Sequence, residues 1–298
     1  MRVELACTPP FAGDAMLAFL AFRAVPGIEE VDGEIYRRVL QVGSATGVLS
    51  ARIPAGVSAI ELELDPALAV VADIVVERAR RVFDLAADAC AIDEVLADDP
   101  LLRPLVAATP GMRLPGAFDG FEIAVRAVVG QQISVAAART VTGRLAARFG
   151  DPLEPAGGAL RVAFPRPEAF ASAPPDGLGM PRARGATLVA LARAICDGRL
   201  ELGAGADLAA GRAALLALPG VGPWTASYIA MRAFGDRDAF LASDLVLRQV
   251  LGDASPVSAR EAERLSLRWR PFRAYAVIRL WAASADLRRY AALVPSRP

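Results

Sequence analysis

The chain contains no histidine and no lysine, and all 33 of its basic residues are therefore arginine. The absence of histidine excludes catalytic triads built on imidazole and metal sites with histidine ligands. The absence of lysine excludes Schiff-base catalysis by a lysine side chain. Whatever chemistry the chain performs must use other side chains.

Cysteine is almost as scarce, with only Cys7, Cys90 and Cys196, far apart in the sequence. Three cysteines are too few for a four-cysteine iron–sulfur cluster, and an odd number does not indicate a disulfide framework. We expect buried, reduced thiols in a cytoplasmic protein. The apolar stretch 15–22 is too short for a membrane span and follows the acidic Asp14, which favours a packed helix over a signal peptide.

Neither sign of charge is in excess, since 33 acidic residues balance the 33 basic ones. The overall charge therefore does not indicate a nucleic-acid partner. The distribution is uneven, because residues 123–150 contain four arginines and no acidic residue, residues 260–279 contain six arginines, and residues 61–99 are strongly acidic. Each cluster can be an ordinary solvated helix face, but together they predict a basic face and an acidic back.

The length of 298 residues predicts two or three domains. Residues 59–64 alternate apolar side chains with glutamate, which is typical of a strand with one buried face. From residue 86 onward the pattern is almost entirely helical. The sequence predicts an α+β fold, with a small N-terminal antiparallel-sheet domain followed by two mostly helical domains. Its first part is expected to contain helices at 15–25 and 66–83 and strands at 35–42, 46–53 and 59–64.

The helical part contains an apolar stripe at the spacing of one core-facing helix side. Its members are Phe121, Val125, Val128 and Val129. Gly130 interrupts this helix, and we expect a second helix to restart within 131–134 and run toward residue 149. Residues 151–175 are rich in proline and glycine and predict a loop with a short ordered piece near 162–164.

The segment 218–244 carries the most informative motif. It opens with Leu218-Pro219-Gly220-Val221-Gly222, in which two glycines allow a tight bend and expose backbone N–H groups. Apolar residues before this turn and a helical pattern after it predict a helix-hairpin-helix. Because the second helix starts at the hairpin, its unpaired N–H groups and the positive end of its dipole can hold an anion such as a phosphate.

A carboxylate follows this hairpin. An apolar run at 239–242 leads to Ser243 and Asp244, and a helical pattern begins after them. An aspartate in that position is commonly a helix N-cap, and from the residue pattern alone the cap is the more common explanation. A catalytic carboxylate is the alternative.

These motifs, in their order along the chain, resemble the helix-hairpin-helix DNA glycosylase superfamily, and within it the AlkA-type 3-methyladenine DNA glycosylases II. In that superfamily a hairpin and a downstream aspartate act in the removal of damaged bases from DNA. The resemblance covers nearly the whole chain. Its further motifs are Pro9-Pro10, Met16-Leu17-Ala18-Phe19-Leu20, Leu114-Pro115-Gly116, 121–134 (FEIAVRAVVGQQIS), Leu178-Gly179-Met180-Pro181 and 269–281 (WRPFRAYAVIRLW).

The resemblance implies three domains with a cleft between the two helical ones. The N-terminal α+β domain would span 1–86, the helical domain with the hairpin 113–236, and the second helical domain 87–112 together with 237–298. Asp244 would be the catalytic residue of that last domain, where a carboxylate stabilises an oxocarbenium-like sugar. The AlkA type has a second aspartate immediately before the catalytic one, whereas this chain has Ser243.

The resemblance also implies an aromatic base pocket. Trp224, Tyr228, Trp281 and Phe19 match the positions that line the cleft in the AlkA type. Stacking and cation–π attraction would there favour a methylated, cationic base. For each aromatic residue taken alone, core packing is the ordinary alternative.

Two further groups of residues are expected to contact DNA. Gln132 and Ile133 are the candidates for the wedge that fills the space left by a flipped base, and the sequence leaves open which one acts. Gly220, Gly222 and Thr225 of the hairpin would hold a phosphate of the backbone. A monovalent cation bound by hairpin carbonyls is the one cofactor that the resemblance suggests, and no side-chain metal site is expected.

The expected function is monofunctional hydrolysis that releases 3-methyladenine or 7-methylguanine type bases in base excision repair. Relatives that also cut the sugar-phosphate chain use a lysine where this chain has Trp224, so no lyase activity is expected. The expected partner is double-stranded DNA containing damaged bases, bound by a monomer in the bacterial cytoplasm, with no membrane partner. Two alternatives stay open: a relative specialised for uracil or 8-oxoguanine, and a non-catalytic protein that binds damaged DNA.

Overall fold

A five-stranded antiparallel sheet is followed by a series of α-helices, which confirms the predicted α+β class. The computed structural model describes residues 1–284 except 55, 57, 154–158, 204 and 253. The strands are β1 (Arg2–Ala6), β2 (Glu29–Asp32), β3 (Ile35–Val42), β4 (Ala45–Arg52) and β5 (Ala59–Leu64). The α-helices are α1 (Gly13–Arg23), α2 (Ala72–Val82), α3 (Ala89–Ala97), α4 (Arg103–Ala108), α5 (Gly120–Val129), α6 (Val135–Phe149), α7 (Pro167–Ala171), α8 (Arg182–Cys196), α9 (Leu208–Leu216), α10 (Pro223–Ile229), α11 (Leu245–Val250), α12 (Ala259–Ser266) and α13 (Arg273–Ala283).

The sheet has the strand order β1-β5-β4-β3-β2, and every neighbouring pair is antiparallel. Strand β5 buries its apolar residues and exposes both glutamates, as its alternation predicts. The bounds predicted for β3 and β5 are confirmed, and β4 starts and ends one residue earlier than predicted. Strands β1 and β2 were missed. Strand β2 has the sequence Glu-Glu-Val-Asp, and its pairing with β3 rather than a local pattern makes it a strand.

Two predicted helices and one predicted loop need correction. The helix predicted at 66–83 is a 3₁₀ turn, Pro66–Val71, followed by α2. The helix expected to restart within 131–134 starts only at Val135, with Ser134 as its N-cap. Before it, Gln132 has a φ of +59°, which no α-helix accommodates. The predicted loop 151–175 contains α7, and its residues 154–158 lie outside the described part of the chain.

Among the described residues, three large hydrophobic cores occupy successive parts of the fold, beside a small cluster around Val39. One lies between the sheet, α1 and α2, one is built on α5, α8 and α10, and one on α3, α13 and the segment 239–241. The apolar stripe of α5 is buried as predicted. Each core consists mainly of residues from one predicted domain. Two residues of the N-terminal part are exceptions, since Phe19 of α1 belongs to the core built on α3 and α13, and Val25 belongs to the core built on α5, α8 and α10. The division into domains stays a prediction, and its part beyond residue 284 lies outside the described residues.

Two predictions about the surface are wrong in part. Cys7 is buried, but Cys90 and Cys196 are exposed. Of the arginines in 260–279, Arg273 and Arg279 are buried in ion pairs with Asp238 and Asp93, so this cluster does not present all of its charge to solvent. Within the described residues, no helix is both long and apolar enough to cross a membrane.

Candidate active site

The predicted helix-hairpin-helix is present and consists of α9, the hairpin 217–222 and α10. Gly220 has a φ of +82°, and a Cβ at this position would lie 2.1 Å from Thr187 Oγ1, so only glycine fits. Gly222 differs, because its φ is −92° and no heavy atom lies within 4 Å of a Cβ placed there. Only the first glycine makes the bend, while Gly222 keeps open space at the start of α10.

Asp244 caps α11, since its Oδ1 accepts a hydrogen bond from the Leu247 N–H at 3.0 Å. Two indoles donate to the same carboxylate. Trp224 Nε1 lies 2.9 Å from Oδ2, and Trp281 Nε1 lies 3.3 Å from Oδ1. The N-cap and the carboxylate in the cleft are therefore not alternatives. The side chain of Asp244 caps α11 and also places its carboxylate in the cleft. Three donors from α10, α11 and α13 fix the carboxylate in one orientation.

The four predicted aromatic residues lie together. Trp224 and Tyr228 stack on one side of α10, with ring centroids 5.4 Å apart and 11° between their planes. Tyr228 also contacts Trp281 of α13 at a centroid distance of 6.2 Å. Trp281 and Phe19 are buried, whereas Trp224 and Tyr228 are half-buried. Most of the aromatic surface open to a ligand therefore belongs to α10.

A cleft of about 970 Å³ contains every site residue that the sequence predicted. The catalytic candidate and the four aromatic residues lie on its walls, and the hairpin and the turn before α6 lie at its edge. The predicted residues are Phe19, Gln132, Ile133, Gly220, Gly222, Trp224, Thr225, Tyr228, Asp244 and Trp281. The structure brings all of them together, while the role of each stays a prediction.

The turn between α5 and α6 separates the two wedge candidates. Gln132 is exposed at the positive φ described above, whereas Ile133 is half-buried and packs against the core around α5. A residue that sequence reasoning passed over, Gln131, joins this turn to the hairpin. Its Nε2 donates to Gly220 O and to Thr225 Oγ1, both at 3.0 Å. Thr225 is buried and its hydroxyl accepts this bond, so it faces the turn rather than solvent.

Comparison with known proteins agrees with this architecture. Residues 2–119 match the AlkA N-terminal domain, and residues 125–271 match the HhH-GPD superfamily base excision DNA repair protein family. DNA-3-methyladenine glycosylase 2 of Escherichia coli is 36% identical over 276 residues, which cover 92% of this chain and 94% of that protein. The chain belongs to the AlkA branch of the HhH-GPD superfamily.

Two further similarities extend the comparison. The probable bifunctional transcriptional activator/DNA repair enzyme AlkA of Mycobacterium tuberculosis is 44% identical over 282 residues, 94% of this chain. The match covers only 56% of that protein, so the chain spans little more than half of its length. A 3-methyladenine DNA-glycosylase structure from Archaeoglobus fulgidus has a TM-score of 0.80 at 21% identity and covers 94% of this chain and 97% of its own. This structural likeness supports the fold.

This AlkA-type cleft also contains two arginines that sequence reasoning missed. The guanidinium carbon of Arg23 lies 3.9 Å from the ring centroid of Phe19 and 5.4 Å from that of Trp281. The guanidinium carbon of Arg232 lies 4.8 Å from Phe19 and 5.8 Å from Tyr228. Each arginine follows its aromatic partner by four residues on a helix, and that spacing is the signal that could have identified both.

The two arginines differ in their hydrogen bonds, because three nitrogens of Arg232 donate hydrogen bonds, whereas Nη1 of Arg23 has no hydrogen-bond partner among the described residues. Arg232 donates to the carbonyl oxygens of Pro115 and Gly116, and its Nη1 donates to the Tyr228 hydroxyl at 3.1 Å. Burial lowers the pKa of the Arg23 guanidinium to about 10, and the nearby Tyr228 and Asp244 offset part of this effect. Arg23 therefore stays a cation at neutral pH.

The charges of both arginines shift the pKa of the Tyr228 phenol. Burial by itself would raise the pKa of its phenol, but the positive charges of Arg232, Arg23 and Arg126 outweigh burial and lower that pKa. Because the hydroxyl oxygen accepts hydrogen bonds from guanidinium groups, its own proton remains available to an acceptor. Tyr228, Arg23 and Arg232 thus place hydrogen-bond donors and positive charge on this side of the cleft.

An ion-pair network on the wall of the cleft joins the sheet to α5. Arg38 Nη2 of β3 lies 2.6 Å from Glu122 Oε2 of α5, and Arg126 pairs with both Glu122 and Glu29 of β2. The Tyr36 hydroxyl donates to Glu29 at 2.5 Å. Burial alone would raise the pKa of Glu122, but Arg126 and Arg38 hold it below its ordinary value. Two cations and two anions balance one another, so this buried network is neutral.

Among the described residues, no group of three or more cysteine, aspartate or glutamate side chains could hold a metal ion. The hairpin carbonyl of Gly220 accepts the Gln131 bond, which leaves one of its lone pairs for another donor or a cation. A monovalent cation at the hairpin therefore stays a prediction.

Proposed function

We propose that the chain is a monofunctional DNA glycosylase that releases alkylated bases, of the 3-methyladenine or 7-methylguanine type, from double-stranded DNA. The observation that supports this most strongly is the geometry of Asp244. Two indole N–H groups hold its carboxylate on the wall of an aromatic cleft, and one of these indoles belongs to the helix that follows the hairpin. The names of the relatives point to the same chemistry.

In the proposed reaction the damaged nucleotide leaves the helix and its base enters the cleft beside Trp224 and Tyr228. Extrusion costs a few kcal/mol and is cheapest for a weakly paired, damaged base. The sugar then lies next to Asp244. As the glycosidic bond breaks, positive charge develops on the sugar, and a carboxylate about 4 Å away stabilises it by roughly 4 kcal/mol at an effective dielectric near 20. That energy corresponds to about three decades of rate.

Water completes the hydrolysis. Among the described residues, Oδ2 of Asp244 accepts only the Trp224 hydrogen bond, so it retains a lone pair that can orient a water molecule and accept its proton. The chain has no lysine to form a Schiff base with the sugar. The reaction therefore stops at an abasic site, without cleavage of the sugar-phosphate chain.

The backbone of the DNA would be held at the hairpin. Gly222 leaves open space at the start of α10, where backbone N–H groups and the helix dipole attract a phosphate. Gly220 shapes this turn, and Thr225 contributes through its backbone because its hydroxyl is already bonded. A monovalent cation at the hairpin carbonyls would add positive charge beside the same phosphate.

Gln132 is the better candidate for the wedge. It is exposed and its strained backbone conformation directs it away from the core, whereas Ile133 is held by packing. A glutamine can also pair with the base left without a partner. The enzyme is proposed to act as a monomer on the genomic DNA of the bacterial cytoplasm, with no membrane partner.

The deciding experiment is base release from methylated duplex DNA by the wild type and by Asp244→Asn. Asparagine is as good an N-cap as aspartate, so α11 stays capped and only the charge and one acceptor are lost. We expect 3-methyladenine and 7-methylguanine to be released by the wild type, and release to fall about a thousandfold in the variant. Abasic-DNA affinity should persist, since the hairpin is unchanged.

Asp244→Ala is the matched comparison, because it removes both charge and cap and should additionally lower stability by about 1 kcal/mol. Release of uracil or 8-oxoguanine alone by the wild type would contradict the proposed specificity. Binding of abasic DNA with release of no base at all would contradict enzymatic activity and favour a damage-binding protein.

A further inference from the structure

Leu245 is an exposed apolar residue in the wall of the cleft. It is the first residue of α11 and directly follows Asp244. It is 55% exposed, and among the described residues it is the one large apolar residue that is both exposed and part of the cleft wall. The mechanism proposed above gives it no role.

The other apolar residues of α11 are used in packing. Val246 and Val250 pack against the core built on α3 and α13, and Leu247 belongs to that core, whereas Leu245 is not part of it. Exposure by itself means little, since Leu267 is 52% exposed and lies outside the cleft, and single exposed leucines are normal on a protein surface. What distinguishes Leu245 is its place in the cleft beside Asp244.

A deoxyribose that reaches Asp244 also comes within reach of Leu245. Neighbouring Cα atoms are only about 3.8 Å apart, and both side chains line the same cleft. The C2′ atom beside C1′ carries only hydrogen in DNA, so this edge of the sugar is apolar. Contact between that edge and the leucine would remove apolar surface of both from water, which is favourable.

This contact differs from those proposed for the hairpin. The open space at Gly222 would hold a phosphate of the DNA backbone, which is present whether or not a nucleotide is flipped. Leu245 lies in the cleft beside Asp244, so it can contact a sugar only after the nucleotide has left the helix. Loss of the leucine should therefore weaken the complex with the flipped nucleotide and spare the complex with undamaged duplex.

We propose that Leu245 is a substrate-binding residue that packs against the deoxyribose of the flipped nucleotide and holds its C1′ beside Asp244. This inference rests on the proposed glycosylase function. The surface it recognises is the C–H edge of a 2′-deoxyribose, so the contact is the same for every base.

The test measures the affinity of two duplexes of one sequence, one undamaged and one with a tetrahydrofuran abasic site, which presents the sugar ring without a base. Leu245→Ala removes most of the apolar side chain and keeps a good helix former. We expect affinity for the abasic duplex to fall about tenfold, and affinity for the undamaged duplex to stay at the wild-type value. Leu245→Met keeps an apolar side chain of similar size and should restore most of the abasic-site affinity.

Leu267→Ala is the matched control, because it truncates a similarly exposed leucine outside the cleft and should change neither affinity. Melting temperatures should match the wild type, since neither leucine is buried. The inference is overturned if Leu245→Ala binds the abasic duplex as tightly as the wild type, or if it loses affinity for both duplexes equally. These affinities require no base release, so a wild type that releases no alkylated base contradicts the proposed function instead.

Discussion

Asp244 illustrates how one residue carries two roles in this protein. The cap bond to Leu247 and the indole bonds from Trp224 and Trp281 come from three different helices. Because each donor approaches from its own direction, rotation of the carboxylate would break at least one hydrogen bond. The two tryptophans therefore contribute more than ring surface, since their N–H groups hold the group proposed to face the sugar.

Trp224→Phe tests this positioning role. Phenylalanine keeps an aromatic ring against Tyr228 and removes the N–H that donates to Oδ2. A hydrogen bond to a charged group is worth about 1.5–3 kcal/mol, so we expect single-turnover base release to slow by one to two decades. The melting temperature should change little.

Trp269→Phe is the comparison. Trp269 is buried away from the cleft and donates to Asp99 at 2.7 Å, so its replacement should lower the melting temperature and leave the rate of base release unchanged. If Trp224→Phe released bases as fast as the wild type while Asp244→Asn was inactive, the indole would not be orienting the carboxylate.

At the scale of elements, the hairpin and the turn before α6 behave as one unit. Gln131 bonds the hairpin through its side chain, and Arg184 of α8 donates to the Gln131 carbonyl at 2.7 Å. The proposed wedge and the proposed phosphate clamp therefore have a fixed separation. Sequence reasoning identified both parts but expected 131–134 to be helical, because the left-handed backbone at Gln132 has no sequence signal as strong as glycine.

The two hairpin glycines should respond differently to alanine. Gly220→Ala places a methyl group 2.1 Å from Thr187 Oγ1 at a positive φ, so we expect it to lower the free energy of unfolding by more than about 1 kcal/mol. Gly222→Ala should leave stability within about 0.5 kcal/mol of the wild type. Its methyl group would occupy the open space proposed for a phosphate, so affinity for abasic DNA should fall.

Denaturant unfolding and DNA binding, measured on both variants, separate the two roles. Equal losses of stability would show that Gly222 is also needed for the bend. Undiminished DNA affinity in Gly222→Ala would place the phosphate elsewhere.

At the scale of the whole molecule, one ion-pair network joins the N-terminal sheet to α5 on the wall of the cleft. Its members are Glu29, Arg38, Glu122 and Arg126. Its four members come from β2, β3 and α5, so its geometry depends on the packing of the sheet against the helical part. Removing one partner leaves a buried charge without compensation, which is the costly way to break such a network.

Glu122→Gln should lower the free energy of unfolding by about 3–5 kcal/mol, because Arg38 and Arg126 lose their shared carboxylate. The effect depends on pH. The pKa of Glu122 in the folded chain lies below its ordinary value of 4.5, so its contribution is complete above about pH 4.5 and is lost as the pH falls through the folded pKa.

Urea unfolding between neutral and acidic pH checks both points. The difference between wild type and Glu122→Gln should shrink on acidification. Glu61→Gln is the control, since Glu61 and its partner Arg52 are exposed and 3.9 Å apart, and its effect should be within about 0.5 kcal/mol. A constant difference at all pH values would contradict a role for the Glu122 charge.

The sequence by itself determined the features that depend on neighbours in the chain. Alternation defined β5, the apolar stripe defined α5, and the glycine pair with its flanking apolar residues identified the helix-hairpin-helix. The lack of lysine excluded Schiff-base chemistry on a lysine side chain in any fold. Matching motifs along the chain also identified the aromatic residues, Asp244 and the hairpin residues that meet in the cleft, because the order of motifs is itself a sequence property, but they did not identify Gln131, Arg23 or Arg232.

Only the tertiary structure decided how these residues meet. It brought Trp224, Asp244 and Trp281 into one hydrogen-bonded group, and it placed Arg23 over Phe19 within the cleft. It also gave Gln132 and Ile133 different surroundings, and it paired Arg126 and Arg279 with buried acids. The physical reason is that a side chain's burial and partners depend on contacts between segments far apart in the chain, which no local pattern contains.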